Sequence, residues 1–351
     1  MKVVYDLTEG YPDDIDHYLK YHEMEDDSES NIMFFGYHAI NDSKLKEKYK
    51  HYDRKIAATG EQPCAFLTGR QDVINLSADT DNYFDKIYTI CPYTAEWLNV
   101  AGKQDKFETA IIPYNINDIP EKQYEKEFDS IYWGGVHHYD HIHILEAMRQ
   151  FKSNMFTIHP SHWSVWHTAA RDHRAMLSPN GNTPNDYWTM KKLRGKLEED
   201  LHMCANQITG LSAPRREMWE VLRKTKIFIV TNKLYLSDEY IENVKAIPNY
   251  SKNKAFSHIE QGIVPQMKTR VVEAAFNKTL SLVKEDPWNV VEHWFEPEKD
   301  FLYYKDDEQL PSLVKEISDN WEKYVHITEN AYNKAIENYT AQKLFKRFSG
   351  E

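Results

Sequence analysis

With 351 residues, 41% of them hydrophobic, the chain can fill the cores of two ordinary domains and exceeds the size at which a single core usually stops growing. Low Gly (12) and Pro (14) counts, with 23 Tyr, 15 Phe and 9 Trp, exclude collagen-like or disordered sequence. A net charge of −12 repels a long polyanion except at a local basic patch, and no window approaches the roughly 18 apolar residues that a membrane span needs.

In chain order, short apolar runs come first, at residues 3–5, 32–35, 56–59, 87–91 and 110–113. None has helical periodicity, and gaps of roughly 20 to 30 residues leave room for crossover helices, as in an open parallel sheet. The polar stretch 117–128, NDIPEKQYEKEF, predicts a boundary that closes a first domain at residues 1–125. A second strand series follows at 130–135 (SIYWGG), 155–159, 207–210 (QITG), 226–232 (KIFIVTN), 280–285 (LSLVKE) and 301–304 (FLYY). Helical patterns separate these runs: Ile144, Leu145 and Met148; Met218, Val221 and Leu222; Val271, Val272, Ala275 and Phe276; Leu313, Ile317, Trp321 and Tyr324. Their alternation predicts a second α/β domain over 126–325 with parallel strands.

Within it, residues 161–206 read as an insertion carrying Trp163, Trp166, Tyr187 and Trp188. Its helix over 185–204 carries an apolar stripe of Met190, Leu193, Leu197, Leu201 and Cys204. Lys191, Lys192, Arg194 and Lys196 form the one candidate basic patch and read as a solvated helix face. Residues 326–351 are expected to form a C-terminal helix packing back toward the first domain. The fold class is α/β, with two Rossmann-like domains facing each other across a cleft.

Chemistry concentrates in residues 260–286, EQGIVPQMKTRVVEAAFNKTLSLVKED. Gly262 and Pro265 predict a helix starting near Gln266, whose amide end favours an anion such as a pyrophosphate. Arg270 and Glu273 share one face of that helix and are expected to face the cleft. A guanidinium forks onto phosphate oxygens, and a carboxylate accepts from a ribose diol. An ordinary surface ion pair explains the spacing equally well. Gly134 and Gly135, where a strand runs into a helix, let backbone approach a phosphate or sugar closely. His137 and His141 stand four apart, with His138 and His143 interleaved, but without an HExxH or a cysteine cluster no metal site is predicted.

The run KTRVVEAAFNKTLSLVKED, then WFEPEKDFLYYKDDEQLPSLVKEI and NAYNKAIENYT, resembles the C-terminal domain of GT-B glycosyltransferases, especially the bacterial spore-maturation type and the phage DNA β-glucosyltransferase. The likeness spans roughly residues 128 to 345. It implies a hexosyltransferase-like enzyme that moves a sugar from a nucleotide-diphosphate donor, UDP- or GDP-linked, to a hydroxyl of a glycan or other acceptor. No cofactor is bound permanently and no metal is required. By motif it places the donor on Gly134, Gly135, Lys268, Arg270 and Glu273. Many retaining members carry a second Glu eight residues before the ribose-binding one; here that position is Pro265, which leaves the stereochemical outcome open.

For the acceptor's proton, the ends of the first-domain strands offer Asp6, His38 and Glu61. Glu61, in the turn GEQPC, is the first choice of base and resembles the Glu-x-Pro of some fucosyltransferases; His38 is second. A DNA-modifying glucosyltransferase, which the net charge disfavours, and a degenerate module that binds nucleotide or glycan without turnover are the alternatives. A nicotinamide dehydrogenase is disfavoured because no GxGxxG follows an early strand. Three scattered cysteines, Cys64, Cys91 and Cys204, and an N-terminus without the pattern of a signal peptide predict a cytoplasmic protein.

Overall fold

The computed structural model describes residues 4–6, 32–35, 43–59, 83–102, 105–111, 124–134, 140–156, 215–235, 238–246, 250–340 and 343–344. In the first third, β1 (Val4–Asp6), β2 (Ile32–Phe35), helix α1 (Ser43–Lys48), β3 (Arg54–Thr59), β4 (Lys86–Thr89), helix α2 (Pro92–Gly102) and β5 (Phe107–Thr109) follow in order. The five strands are all parallel and pair in chain order. Four lie where the apolar runs predict them. The fifth is Phe107–Thr109 rather than 110–113. Ala110 and Ile111 are buried just beyond the strand, where the Ala110 amide still donates to the Thr89 carbonyl at 2.9 Å, so the apolar run overlaps only the end of the pairing.

The second half continues with β6 (Phe128–Trp133), helix α3 (Asp140–Gln150), β7 (Ser153–Phe156), helix α4 (Arg215–Arg223), β8 (Thr225–Val230), β9 (Lys233–Tyr235) and helix α5 (Asp238–Lys245). After them come β10 (Ile263–Pro265), helix α6 (Arg270–Phe276), β11 (Leu280–Lys284), β12 (Leu302–Tyr304), helix α7 (Leu310–Asp319) and helix α8 (Val325–Asn338). The proposed strand at 207–210, the helix at 185–204 and the 191–196 basic patch lie outside the described residues. Helix α7 stops at Asp319, so Trp321 sits in a short 3-10 turn instead of on the helical stripe predicted for it.

Strands β12, β11, β8, β6 and β7 form a second parallel sheet in that order. Alternate residues of its central strands face opposite layers, the period-2 rule of a strand. Ile227, Ile229, Leu280 and Leu282 pack on Ile144 and Leu145 of α3 and on Val314 and Ile317 of α7. Phe228, Val230 and Val283 pack on Leu222 of α4, on Val271 and Val272 of α6, and on Ala331 and Ala335 of α8. Burial on both faces explains why TKIFIV and LSLVK read as continuous apolar runs. Counting this sheet's strands along the chain, the spatial order is 2-1-3-4-5, so the order reverses between β6 and β8. Ligands of open α/β sheets settle at the carboxyl ends of the strands beside such a reversal.

The two halves share their packing. Val244 of α5, Phe256, Ile259 and Val264 complete the core around Ala57, Ile87, Trp97 and Leu98 of the first sheet and α2. Trp97 meets Phe256 edge to face, with ring centroids 5.8 Å apart. Ile90, Cys91 and Ile111 in turn join the core of the second sheet.

Candidate functional site

Helix α6 begins at Arg270, not near Gln266. Residues 263–265 pair antiparallel with 233–235, and the Gln266 amide donates to the Asn232 carbonyl at 2.8 Å, so the backbone stays extended through the segment expected to start the helix. That pairing is long-range, and local sequence cannot reveal it. Pro265 consequently closes a short strand. The helix that follows has only seven residues, so its side chains rather than a long macrodipole carry the site's chemistry.

Strand β6 ends in Tyr132 and Trp133 and runs into Gly134, whose φ of 141° L side chains rarely adopt. A Cβ there would also strike the Arg270 guanidinium, lying 3.0 Å from its Cζ and 3.1 Å from Nη1. The backbone angle therefore calls for glycine, and any added Cβ would displace the end of the Arg270 side chain. Arg270 is half-buried, with its Cζ 5.9 Å from the Tyr132 ring centroid. Burial pulls the guanidinium below the usual arginine range, while Tyr132 and Glu273 favour its charged form. Its Nη1 meets no hydrogen-bonding partner among the described residues. Glu273 is only 1% exposed and shares the Arg270 face as expected, and every residue of α6 after Arg270 is buried.

Tyr132 is itself fixed. Its hydroxyl and His141 Nε2 of α3 lie 2.6 Å apart, and both residues are 1% exposed. His141, one of the four spaced histidines, thus braces the aromatic ring that stands beside Arg270. His143 faces Glu146 at 3.5 Å. His137 and His138 lie outside the described residues, among which no group of three or more His, Cys, Asp or Glu side chains gathers to hold a metal ion.

Beside β6, strand β8 is followed by Thr231 and Asn232, both fully buried. Lys268, in the link between β10 and α6, donates from Nζ to Thr231 Oγ1 at 3.4 Å. Neither side-chain amide atom of Asn232 meets a partner among the described residues, and the same holds for Gln266 Oε1. Each buried polar group left unmatched costs about 1–3 kcal/mol.

One strand further on, two residues past β11, Asp286 is 3% exposed. Its Oδ1 accepts from the Trp288 amide at 2.9 Å, and Oδ2 has no partner among the described residues. Burial pushes the carboxyl up to about 6, against the pull of nearby backbone amides and of Lys233. Tyr93, at the start of α2, donates to the Trp288 carbonyl at 3.1 Å and so ties the first half to this edge.

The structure thus gathers Gly134, Lys268, Arg270 and Glu273 at the point where strand order reverses. Gly135, Glu61 and His38 lie outside the described residues, and no side-chain position is described for Asp6. Sequence reasoning missed Tyr132, Asn232, Gln266 and Asp286. The rule that ligands sit at carboxyl strand ends, applied in the second sheet only to Gly134 and Gly135, points equally to TN after KIFIV and to ED after LSLVK.

The sequence model of a glycosyl transferase-like family matches residues 122–349. A search of curated protein sequences finds no match. Among solved structures, Anabaena HepE in complex with UDP-glucose is similar at a TM-score of 0.56 and 9% identity, with 100% of each chain covered. TarM of S. aureus is similar at 0.53 and 8%, over 92% of this chain and 55% of that one. Sucrose-phosphate synthase from Thermosynechococcus elongatus follows at 0.51 and 9%, over 91% and 73%. At these identities the likeness is one of fold, and the fold is that of two-domain GT-B glycosyltransferases.

Proposed function

The chain belongs to the glycosyl transferase-like family, and from that premise we propose that it transfers a hexose from a UDP- or GDP-linked donor to a hydroxyl of a glycan or other acceptor, with the donor held at the carboxyl edge of the second sheet. One observation carries the reading: a half-buried guanidinium, packed against a glycine whose backbone angle strains any other residue, stands at the reversal of strand order with a donor that has no partner among the described residues. HepE, similar in fold, holds UDP-glucose.

In this reading Arg270 and Lys268 grip the diphosphate, and Glu273 accepts from the ribose hydroxyls. The acceptor oxygen bonds to the anomeric carbon as the bond from that carbon to the diphosphate breaks. The electron pair leaves with the nucleotide diphosphate, whose growing charge the guanidinium stabilises. The acceptor's proton passes to a base on the first domain, with Glu61 the first candidate and His38 the second. Cytoplasmic residence fits a donor made inside the cell.

A thermal-shift panel of UDP, GDP, ADP and CDP tests the donor class, since a ligand of the native state raises its apparent stability. A rise with UDP or GDP, followed by turnover of the matching nucleotide sugar, is expected. No shift with any diphosphate would remove the donor site.

A further inference from the structure

We propose that Asn232, together with Gln266, is a further donor-recognition residue, whose side-chain amide binds a neutral part of the nucleotide sugar that both donates and accepts hydrogen bonds. The inference rests on the donor reading above and names a group within that site which the family match does not assign.

Asn232 follows immediately on the run KIFIVT and is fully buried, yet neither amide atom has a partner among the described residues. A residue needed only to end the strand has no use for a carboxamide in such a place, because an unmatched amide there is penalised in the unliganded protein. The Gln266 amide bonds to the Asn232 carbonyl, so the two side chains leave the same crossing of the chain, and Gln266 Oε1 likewise has no partner among the described residues. Thr231, next to Asn232, already receives Lys268, and Gly134 with Arg270 closes the neighbouring strand end.

Chemistry narrows the ligand. A phosphate oxygen only accepts, so it would leave Asn232 Oδ1 and Gln266 Oε1 unanswered, and Lys268 and Arg270 already supply cations for that charge. Two acceptors beside one amide donor call for a group with its own O–H or N–H. Two parts of a nucleotide sugar have it: a sugar hydroxyl, and the imide edge of a base such as uracil.

The test compares UMP, UDP and UDP-glucose by calorimetry on wild type, Asn232→Leu and Asn232→Asp. Asn232→Leu should fold at least as stably as wild type and lose at least tenfold in affinity. A loss already present with UMP assigns the amide to the nucleoside, and a loss appearing only with UDP-glucose assigns it to the transferred sugar; either result supports the proposal. Asn232→Asp, which keeps shape and acceptors but not the amide donor, should show the same loss, and it carries the test should the leucine variant not fold. Unchanged affinity in both variants, or a loss that enters only between UMP and UDP, would overturn it. Should wild type bind none of the three, nor GMP, GDP or a GDP-linked sugar, the donor reading itself fails and takes this inference with it. Wild-type binding that Arg270→Ala abolishes and Asn232→Leu leaves intact sinks the inference alone.

Discussion

The two edges of the second sheet are built from similar residues and treat them in opposite ways. At the amino edge, a pocket of about 630 Å³ is lined by Tyr124, Lys126, Lys226, Asp319 and Trp321 among others. Its cations are matched within the fold: Lys126 Nζ donates to the Arg223 carbonyl at 2.9 Å, and Lys226 Nζ donates to Asp129 Oδ1 at 3.1 Å and to the Ser318 carbonyl at 3.2 Å. At the carboxyl edge, Arg270 Nη1, the Asn232 amide, Gln266 Oε1 and Asp286 Oδ2 have no partner among the described residues. A hollow of that size marks the amino edge, where Ser318 Oγ also lacks a partner among the described residues, whereas the unmatched guanidinium and carboxamide mark the edge proposed for the donor. Buried groups that a chain leaves unmatched are where a ligand completes the network.

Arg270→Ala should break the contrast most strongly. Loss of a charge-assisted fork is expected to weaken nucleotide-diphosphate binding by about 100-fold, roughly 3 kcal/mol, with little change for the free nucleoside. Calorimetry with UDP and uridine side by side reads the difference, and an equal loss for both would show that the residue serves the fold and not the phosphate. Gly134→Ala comes next. The positive φ and the collision with the guanidinium should together destabilise the protein by about 1–3 kcal/mol and reduce diphosphate affinity about tenfold. A variant with wild-type melting and binding would show that the close approach is dispensable.

Asp286 sharpens the comparison through pH. Its folded-state carboxyl, near 6, lies above the ordinary value of 3.8, so ionising it penalises the folded state. The folded protein binds this proton more tightly than the unfolded chain does, and the penalty grows as pH rises from about 4 to about 6 and is complete above that. Asp286→Asn keeps an acceptor for the Trp288 amide and should stabilise the protein by up to about 3 kcal/mol at pH 7.5, the advantage vanishing below about pH 4. Chemical denaturation at the two pH values checks it; a difference independent of pH would rule out burial of the charge as the cause.

How much of this was legible beforehand follows the range of the forces involved. The runs read at 130–135, 226–232 and 280–285 overlap the strands 128–133, 225–230 and 280–284, because a parallel strand covered on both faces is a local apolar run. Arg270 and Glu273 could be paired because helical spacing is local too. The start of α6 could not, since it depends on residues 263–265 finding 233–235 some 30 positions away. Nor could the depth of Glu273, set by α8 and the sheet closing over both sides of α6. Asn232 was invisible for a subtler reason: a polar residue after a strand usually marks a surface turn, and only its full burial reveals otherwise.

Lys126→Met probes the opposite edge and carries the smallest expected effect. Burial, with Lys278 nearby, brings the Lys126 ammonium down to about 7, so it is folded at a penalty below that pH, where the amine is charged in both states. As pH rises from 7 toward 10.5 the folded amine is already neutral while the unfolded one still holds its proton, and the penalty fades. Methionine keeps the apolar stem over Trp321 but forfeits the bond to the Arg223 carbonyl, so at pH 6 the net gain should be no more than about 1–2 kcal/mol, shrinking toward pH 10. Nucleotide affinity should stay within about twofold of wild type, because an internally matched cation at the far end of the strands has nothing to offer the donor. A tenfold weakening with UDP would mean that the amino edge communicates with the carboxyl edge, and matched polar groups could then no longer be read as structural.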